Sequence, residues 1–467
     1  MSQIYTPRPY GALAREHMLA HRRAGLHARM GMGKTVITLD VLDTLLIAGE
    51  VERVLVLAPL RVARSTWHEE AAKWDEFKHL RFSIIVGDIL ERMRATNAPA
   101  DIYCMNYDNL PWLVRLLGDR WSFDTVVADE SVRLKSYRTR QGGIRAQSLA
   151  AVAQTKVRRW YNLTGLAAPN GLQDLWGQLW FIDGGRRLGT TYSAFERRWF
   201  NTQRAGPVVT SKPMAHAHHE ITEKISDVCL ALNPKNWFDL KDPVVSNVYV
   251  DLPPQARKHY REMEKLLYTE LQGVGIEAFA AAGKTIKCLQ IANGAAYLPD
   301  YIAADEYGPR EWAEIHQAKL EALDSIIAEA AGEPILVAYQ FRSDLARILK
   351  AFPKARHIKG KREEDAFKRG EIQVAVVHPD SIGHGVDGFQ HVCNTVVFFG
   401  HWWRMESREQ LIERVGPMRQ MQAGRTAGTF VYNIIARDTV DEDVLARNAG
   451  KYSVEEALMQ GLNRRKE

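Results

Sequence analysis

Two groups of short apolar runs, separated by helical patterns, dominate the chain. In the first half the runs lie at residues 24–28, 53–58, 82–86, 101–107, 125–128 and 161–163. Residues 35–48, after the first run, show helical spacing at Val36, Leu39, Leu42 and Leu46. Continuous apolar runs are typical of strands that are buried on both faces of a parallel sheet. The first half therefore predicts a doubly wound α/β sheet.

A second α/β group follows after a stretch of different composition. Its strand-like runs lie at residues 334–339, 373–377, 394–399 and 429–436. Helical patterns occupy residues 343–351 and 407–415 between these runs, and 256–282 and 319–331 before them. The pattern predicts three parts: an N-terminal α/β domain at 1–185, a mainly helical insertion and linker at 186–315, and a C-terminal α/β domain at 316–467.

A phosphate-binding motif lies between the first apolar run and its helix. Residues 28–35 match G-x-x-x-x-G-K-[ST] except that Ala28 replaces the first glycine. The predicted nucleotide-binding residues are those of this loop: Met30, Gly31, Met32, Gly33, Lys34 and Thr35. The glycines let successive N–H groups face a polyphosphate, Lys34 can reach the terminal phosphates, and Thr35 can ligate Mg²⁺. A second Gly-Lys-Thr, at residues 283–285, follows a helical run and is interpreted as coincidence.

An acidic pair, Asp129 and Glu130, directly follows the apolar run at residues 125–128. In doubly wound sheets the ligand crevice lies at the carboxyl ends of the strands. There Asp129 can hold Mg²⁺, directly or through water, and Glu130 can orient and deprotonate an attacking water. The alternative interpretation is an acidic turn or helix cap. Tyr10, which precedes the phosphate loop, is a weaker candidate for a contact with adenine.

Composition is that of an ordinary globular protein. The 467 residues are 46% hydrophobic and 25% charged, which suffices for two or three domains. No apolar run reaches membrane-spanning length, and the polar, proline-bearing start does not resemble a signal peptide. The four cysteines are isolated, so neither a zinc site nor a disulfide framework is predicted, and we expect a cytoplasmic protein.

Positive charge is concentrated in one stretch. The net charge is +6, a modest bias toward polyanionic partners. Residues 133–159 contain no acidic residue and eight cations: Arg133, Lys135, Arg138, Arg140, Arg145, Lys156, Arg158 and Arg159. This run predicts either a solvated basic face or contact with a nucleic-acid backbone. The histidines at 216, 218 and 219 lack a second ligand cluster, so no metal site is predicted there.

Seven segments with motif-like character follow one another along the chain: residues 28–35, 57–60, 129–132, 163–170, 340–341, 381–390 and 410–420. In order and spacing they resemble motifs I, Ia, II, III, IV, V and VI of the superfamily 2 helicases and translocases. Within that superfamily the chain is most similar to the Swi/Snf-type branch, in particular to compact phage-encoded DEAD/DEAH-box-like ATPases. The resemblance covers residues 5–458 approximately.

This resemblance implies two RecA-like domains that bind ATP and Mg²⁺ in the cleft between them. It implies that Arg414 and Arg419 stabilise charge on the transferring γ-phosphoryl group, with ordinary helix-end cations as the alternative. It also implies nucleotide contacts from Gly385 and Asp387 in motif V. Basic residues near motifs Ia, II and IV would contact DNA phosphates: Arg61, Lys135, Arg138, Arg140 and Arg342.

The implied function is that of an ATP-dependent DNA translocase or helicase without sequence specificity. Its partners would be duplex or single-stranded DNA and other replication, recombination or packaging proteins, in the bacterial host cytoplasm if the protein is phage-encoded. Two alternatives stay open: an RNA-directed ATPase of the same superfamily, and a nucleotide-dependent nucleic-acid-binding protein with weakened hydrolysis. The chain departs from the family pattern at four places: Gly11 for an adenine-reading glutamine, Ser131-Val132 for Ala-His, Leu166-Ala167 for Thr-Pro, and Pro417 for an arginine.

Overall fold

The structure, a computed structural model, divides the chain into two units. It describes residues 3–139, 143–205, 208–266, 268–271, 274–277, 281–298, 311–382, 387–426 and 428–463. The first unit is Met1–Asp239 with Lys451–Glu467, and the second is Leu240–Gly450. The three-part division drawn from the sequence has different boundaries and stays a prediction. In the described ranges no helix is long and apolar enough to cross a membrane.

A seven-stranded parallel sheet forms the centre of the first unit. The strands of this unit are β1 (Arg23–Ala28), β2 (Val54–Ala58), β3 (Phe82–Ile85), β4 (Ile102–Asn106), β5 (Thr125–Asp129), β6 (Arg159–Thr164), β7 (Phe200–Ala205), β8 (Val208–Pro213) and β9 (Cys229–Leu232). The sheet order is β3-β4-β2-β5-β6-β1-β9, while β7 and β8 form a separate antiparallel ribbon. Every residue of β2, β4 and β6 is buried, as the apolar runs predict.

Helices connect these strands, as a doubly wound sheet requires. They are α1 (Pro9–Ala20), α2 (Lys34–Ile47), α3 (Trp67–Ala71), α4 (Ile89–Asn97), α5 (Leu110–Leu117), α6 (Ile144–Ala153), α7 (Asp174–Asp183), α8 (Tyr192–Trp199) and α9 (Ala217–Ile225). A π-helical turn, Val62–Thr66, precedes α3.

The second unit contains a six-stranded parallel sheet. Its strands are β10 (Val244–Val250), β11 (Tyr268–Leu271), β12 (Val274–Glu277), β13 (Ala295–Tyr297), β14 (Trp312–Glu314), β15 (Ile335–Ala338), β16 (Arg356–His357), β17 (Val374–Val377), β18 (Thr395–Phe398) and β19 (Phe430–Ala436). The sheet order is β10-β19-β18-β15-β17-β16, and two further strand pairs, β11-β12 and β13-β14, are antiparallel. The predicted fold class, two RecA-like parallel-sheet domains, is confirmed.

The remaining helices are α10 (Pro254–Leu266), α11 (Ala281–Asn293), α12 (Ala318–Glu329), α13 (Arg342–Ala351), α14 (Lys361–Lys368), α15 (Pro379–Ile382), α16 (Met405–Val415), α17 (Pro417–Gln422) and α18 (Val440–Asn463). The prediction of one continuous helix over residues 256–282 was wrong, because α10 ends at Leu266 and β11 and β12 follow it. β-branched residues and Gly275 in this stretch favour strands over a helix. The second Gly-Lys-Thr lies inside α11, and not in a strand-to-helix loop.

Helix α18 is divided between the two units. Its residues up to Gly450 belong to the second unit, and those from Lys451 onward belong to the first. Leu458, Met459 and Leu462 are buried in the core cluster of the first unit. Each such side chain contributes about 1.5–3 kcal/mol when it is fully removed from water, so residues 458–462 are firmly packed there.

Candidate functional site

Three neighbouring strands of the first sheet end at candidate functional residues. β5, β6 and β1 lie side by side and parallel in that order. β1 leads into the phosphate loop, β5 ends at Asp129, and β6 ends at Thr164. The carboxyl ends of parallel strands form the ligand crevice of such sheets, and the sequence motifs converge on this edge.

The phosphate loop has the backbone that its glycines were predicted to allow. Gly31 and Gly33 adopt φ values of 80° and 71°, in the left-handed region that favours glycine. α2 begins immediately afterwards at Lys34, so its first N–H groups have no acceptor within the helix and are suited to an anion. The side chain of Met32 is buried, whereas that of Met30 is half-buried. Lys34 Nζ donates a hydrogen bond to the Ala28 carbonyl at 2.6 Å.

Asp129 is held in place from two sides. Trp67 Nε1 donates a hydrogen bond to Asp129 Oδ2 at 3.1 Å, and the Tyr107 hydroxyl donates to the Asp129 carbonyl at 2.9 Å. Burial raises the pKa of the Asp129 carboxyl, while the positive charge of Lys34 and the Trp67 hydrogen bond act in the opposite direction. The positive charge of Lys34 thus favours the ionised form of the Asp129 carboxyl.

Glu130 adopts an uncommon backbone conformation. Its φ of 59° and ψ of 55° place a non-glycine residue in the left-handed region, at a cost of about 1–2 kcal/mol. Strain of this kind tends to occur where function fixes a side chain's direction. The Thr164 hydroxyl lies 3.1 Å from Glu130 Oε1 and can donate to it. Thr164 was not among the predicted site residues, although it lies in the segment that resembles motif III.

These residues fit Mg²⁺ and a nucleotide triphosphate. Thr35 and Asp129 offer the hard oxygen ligands that Mg²⁺ prefers, and this ion usually takes one or two protein ligands together with substrate phosphates. Within the described ranges, no cluster of three or more His, Cys, Asp or Glu side chains is arranged to hold a metal. A site completed by phosphate oxygens does not need such a cluster.

Tyr10 lies in an aromatic group that the sequence did not reveal. Only 5% of Tyr10 is exposed, and its ring packs edge-on against Trp237 at 5.9 Å and Phe238 at 5.7 Å between centroids. Trp237 keeps 39% of its surface exposed. The adjacent aromatics Trp237 and Phe238 were the available signal, but more than two hundred positions separate them from Tyr10. The contact of Tyr10 with adenine stays a prediction.

In the second unit, motifs V and VI meet in an ion pair. Arg419 of α17 donates from Nη1 to Asp387 Oδ1 at 3.0 Å. Burial alone would raise the pKa of Asp387, but the charge of Arg419 and hydrogen bonds hold it below its usual value. Arg414 is buried on α16, and Pro417 occupies the first turn of α17, where proline is well tolerated. Gly385 lies outside the described residues.

The predicted nucleic-acid residues are in different environments. The Arg138 guanidinium lies 3.4 Å from the centre of the Tyr192 ring, and Lys135 Nζ is 3.7 Å from Asp174. Arg342 is exposed at the start of α13 in the second unit, and Arg61 is half-buried near motif Ia in the first. Arg140 lies outside the described residues.

Most of the basic run is neutralised by acids from distant parts of the chain. Of the seven cations of the run that the structure describes, five form ion pairs: Lys135–Asp174, Arg145–Asp108, Lys156–Asp119, Arg158–Asp124 and Arg159–Glu50. The basic run therefore presents a weaker positive electrostatic potential than its sequence indicates. This arrangement supports a solvated, ion-paired face for the greater part of the run.

The motif III loop has contacts that sequence reasoning missed. Gln178 Nε2 donates to the Ala167 carbonyl at 2.7 Å, and Ser131 Oγ donates to Gln178 Oε1 at 2.9 Å. On its other side the loop contacts Glu455, which lies near the end of the chain. No local pattern marks Gln178 or Glu455, because each acts through residues remote in sequence.

A phosphate loop after β1 and an acidic pair at the end of β5, with β6 between these strands, together with a second parallel sheet, are the features expected of a two-unit protein of the helicase-like ATPase class. The family model described as the SNF2-related domain matches residues 18–295. The chain therefore belongs to the SNF2-related family, and the resemblance drawn from the motifs is confirmed.

Individual proteins similar to this chain match different shares of its length. Protein p41 of Acyrthosiphon pisum secondary endosymbiont phage 1 is 46% identical over 468 residues, covering 99% of this chain and 100% of p41. The DNA excision repair protein ERCC-6-like of Mus musculus is 30% identical over 178 residues, which cover 36% of this chain and 14% of that protein. The solved structure of the Sulfolobus solfataricus SWI2/SNF2 ATPase core in complex with dsDNA aligns with a TM-score of 0.44 and 22% identity, covering 98% of this chain and 94% of that one.

Proposed function

We propose that the protein hydrolyses ATP with Mg²⁺ and couples hydrolysis to movement on, or remodelling of, DNA in the cytoplasm of a bacterial host. One observation carries the proposal. Lys34 follows β1, Asp129 and Glu130 lie at the end of β5, only β6 separates these two strands, and the charge of Lys34 favours the ionised Asp129 carboxyl. Family membership supports the same activity, since SNF2-related domains are helicase-like ATPase domains.

Each residue of this site has a distinct role in the proposal. The first N–H groups of α2 and the Lys34 ammonium bind the phosphates, and Thr35 and Asp129 hold Mg²⁺. When bound, Mg²⁺ would neutralise charge on the phosphate oxygens. Glu130 takes the proton of the attacking water, and the Thr164 hydroxyl beside its Oε1 fixes the direction of the carboxylate.

The proposal includes two arginines of the second unit, on the strength of their resemblance to motif VI. We assign to Arg414 and Arg419 the stabilisation of negative charge on the γ-phosphoryl group. Asp387, paired with Arg419 at 3.0 Å, restricts the rotamers of that arginine. A pre-oriented guanidinium loses less entropy when it forms hydrogen bonds to phosphate oxygens.

DNA is the nucleic acid on which we propose that the protein acts, for three reasons. The chain belongs to the SNF2-related family, the mouse relative is by name a DNA excision repair protein, and the net charge of +6 favours a polyanion. Phosphate contacts from Arg61, Lys135, Arg138 and Arg342 would give binding without sequence specificity. An RNA track is the alternative outcome of the experiment below.

The direct test measures ATP hydrolysis alone and with duplex DNA, single-stranded DNA or RNA. Lys34→Ala is expected to abolish ATP binding and turnover, because the ammonium is lost from the phosphate site. Glu130→Gln is expected to bind ATP but to lose about 10²–10⁴-fold in turnover, since an amide cannot act as the base. Lys284→Ala is the matched control, because that Gly-Lys-Thr lies inside α11, and it should hydrolyse ATP normally.

Three results would change the proposal. Normal turnover in Glu130→Gln would refute the assignment of the base. Stimulation by RNA and not by DNA would establish the RNA-directed alternative. ATP-dependent DNA binding without turnover by the wild type would establish the alternative with weakened hydrolysis.

A further inference from the structure

A buried carboxylate near the end of the chain contacts the motif III loop. Glu455, on α18, has no exposed surface. Its Oε1 accepts a hydrogen bond from the Ala167 N–H at 2.9 Å, and its Oε2 accepts one from the Ala168 N–H at 2.7 Å. Hydrogen bonds to an ionised acceptor are about twice as strong as neutral ones. One side chain thus fixes two successive peptide groups of the loop.

The same turn of α18 also contacts the phosphate loop. The Arg29 guanidinium lies 5.5 Å from the centre of the Tyr452 ring. Lys451 Nζ donates to Asn170 Oδ1 at 3.3 Å, at the far end of the motif III segment. Burial raises the pKa of the Glu455 carboxyl, whereas the charge of Arg29 and the two N–H groups act to lower it. The end of α18 is therefore packed against both loops of the candidate ATP site.

One of these hydrogen bonds depends on a departure from the family pattern. Residue 167 is alanine where the motif III pattern has proline. Proline has no backbone N–H, so a proline at this position could not donate to Glu455. The alanine at this position therefore supplies a donor that proline lacks, and the buried Glu455 carboxylate accepts its hydrogen bond.

A short series of contacts leads from this loop to the proposed base. The Leu166 N–H donates to Thr164 Oγ1 at 3.2 Å, and Thr164 Oγ1 lies 2.9 Å from the Leu166 carbonyl. The same hydroxyl lies 3.1 Å from Glu130 Oε1. The conformation of residues 164–168 thus decides where the hydroxyl meets the base.

We propose that Glu455 is a positioning residue for ATP hydrolysis, which holds the motif III loop in the conformation that places Thr164 beside Glu130. The inference rests on the proposed function, because it concerns the rate of that reaction. Glu455 touches neither nucleotide nor water in this proposal and acts through the loop alone. Binding of ATP should depend little on it, since Lys34 and the first N–H groups of α2 provide that binding.

The test compares Glu455→Gln, Ala167→Pro and the double variant with the wild type, measuring kcat, KM for ATP and Tm. Glutamine keeps the size of the side chain but presents an NH₂ group to one of the two N–H donors. We expect Glu455→Gln to lower kcat about tenfold, as the loss of a charge-assisted hydrogen bond predicts, with KM unchanged within about twofold. Glu456→Gln is the matched control on the same helix and should leave kcat unchanged.

The double variant separates positioning from simple anchoring of the helix. If Glu455 acts through the Ala167 N–H, Glu455→Gln should lower kcat less than about threefold once residue 167 is proline. Independent, multiplicative effects on kcat, or a fall in Tm without a change in kcat, would overturn the inference. If Glu455→Gln does not fold, Ala167→Pro alone decides, because it should lower kcat with KM retained.

Failure of the proposed function looks different. Absence of wild-type turnover, or turnover retained in Lys34→Ala, would defeat the proposed function itself. Wild-type turnover that is lost in Lys34→Ala but kept in Glu455→Gln would defeat only the role of Glu455.

Discussion

Gly177, in the middle of α7, lies against the backbone that follows the acidic pair. A Cβ built at this position would lie 2.5 Å from the Leu134 carbonyl oxygen and 2.8 Å from that of Lys135. Both neighbours are main-chain atoms and cannot rotate away. Overpacking of this kind costs about 1–3 kcal/mol, and the higher helix propensity of alanine returns up to about 1 kcal/mol. Two contacts with backbone atoms place the overpacking cost in the upper half of that range, so the net loss is about 1–2 kcal/mol. At about 2–4 °C per kcal/mol, Gly177→Ala should lower Tm by roughly 2 to 8 °C.

Thermal unfolding followed by tryptophan fluorescence can measure this effect, because nine of the twelve tryptophans lie in the first unit. Gly450→Ala is the control: this glycine is also helical, but an added Cβ would meet nothing within 4 Å. Circular dichroism should show that Gly450→Ala unfolds at or above the wild-type temperature. A Gly177→Ala protein as stable as the wild type would refute the packing of α7 described above.

Two further predictions concern pH. Trp67→Phe removes the hydrogen bond to ionised Asp129, so the pKa of that carboxyl should rise further. In a plot of kcat/KM for ATP against pH, the acid limb should therefore move to higher pH. An unchanged acid limb would contradict the role of Asp129 in holding Mg²⁺. Burial lowers the pKa of His401 to about 4. Between that value and the ordinary pKa of about 6.5 the unfolded chain binds more protons, so this histidine destabilises the fold by about 2 kcal/mol as pH falls from about 7 to 5. In His401→Gln the amide can replace Nε2 as donor to the Ile434 carbonyl. Measured by denaturant unfolding, this variant should lose about 2 kcal/mol less stability than the wild type between about pH 7 and pH 5.

Apolar runs and short motifs predicted most strands of the two sheets and the phosphate loop, because burial and backbone conformation there depend on residues close in sequence. Apolar runs such as 53–58 are strands because both sheet faces are covered, and the structure has β2 there. The phosphate loop was predictable because two glycines with positive φ between a strand and a helix form a short, self-contained unit. The prediction of one helix over residues 256–282 was wrong because helical periodicity does not report the effect of Gly275 and the β-branched residues around it, which favour strands.

Long-range pairing could not be predicted from the sequence. The basic run contains no acid of its own, yet Arg159 pairs with Glu50 and Arg145 pairs with Asp108. These acids are brought close by the sheet order, in which distant segments become neighbours. Charge patterns within a single stretch therefore overstate the field that the folded protein presents to a nucleic acid.

The buried side chain of Gln178 links the departures in motifs II and III. Ser131, where the family pattern has alanine, donates its hydroxyl to Gln178, and Gln178 donates to the Ala167 carbonyl. Ala167, where the pattern has proline, donates its N–H to Glu455. Two of the four replacements, Ser131 and Ala167, add a polar group, and each added group has a buried partner. The other two, Val132 for histidine and Leu166 for threonine, remove a polar side chain. A buried donor without a partner would cost about 1–3 kcal/mol, so the paired Ser131 hydroxyl and Ala167 N–H show that these two replacements fit the folded motif III loop.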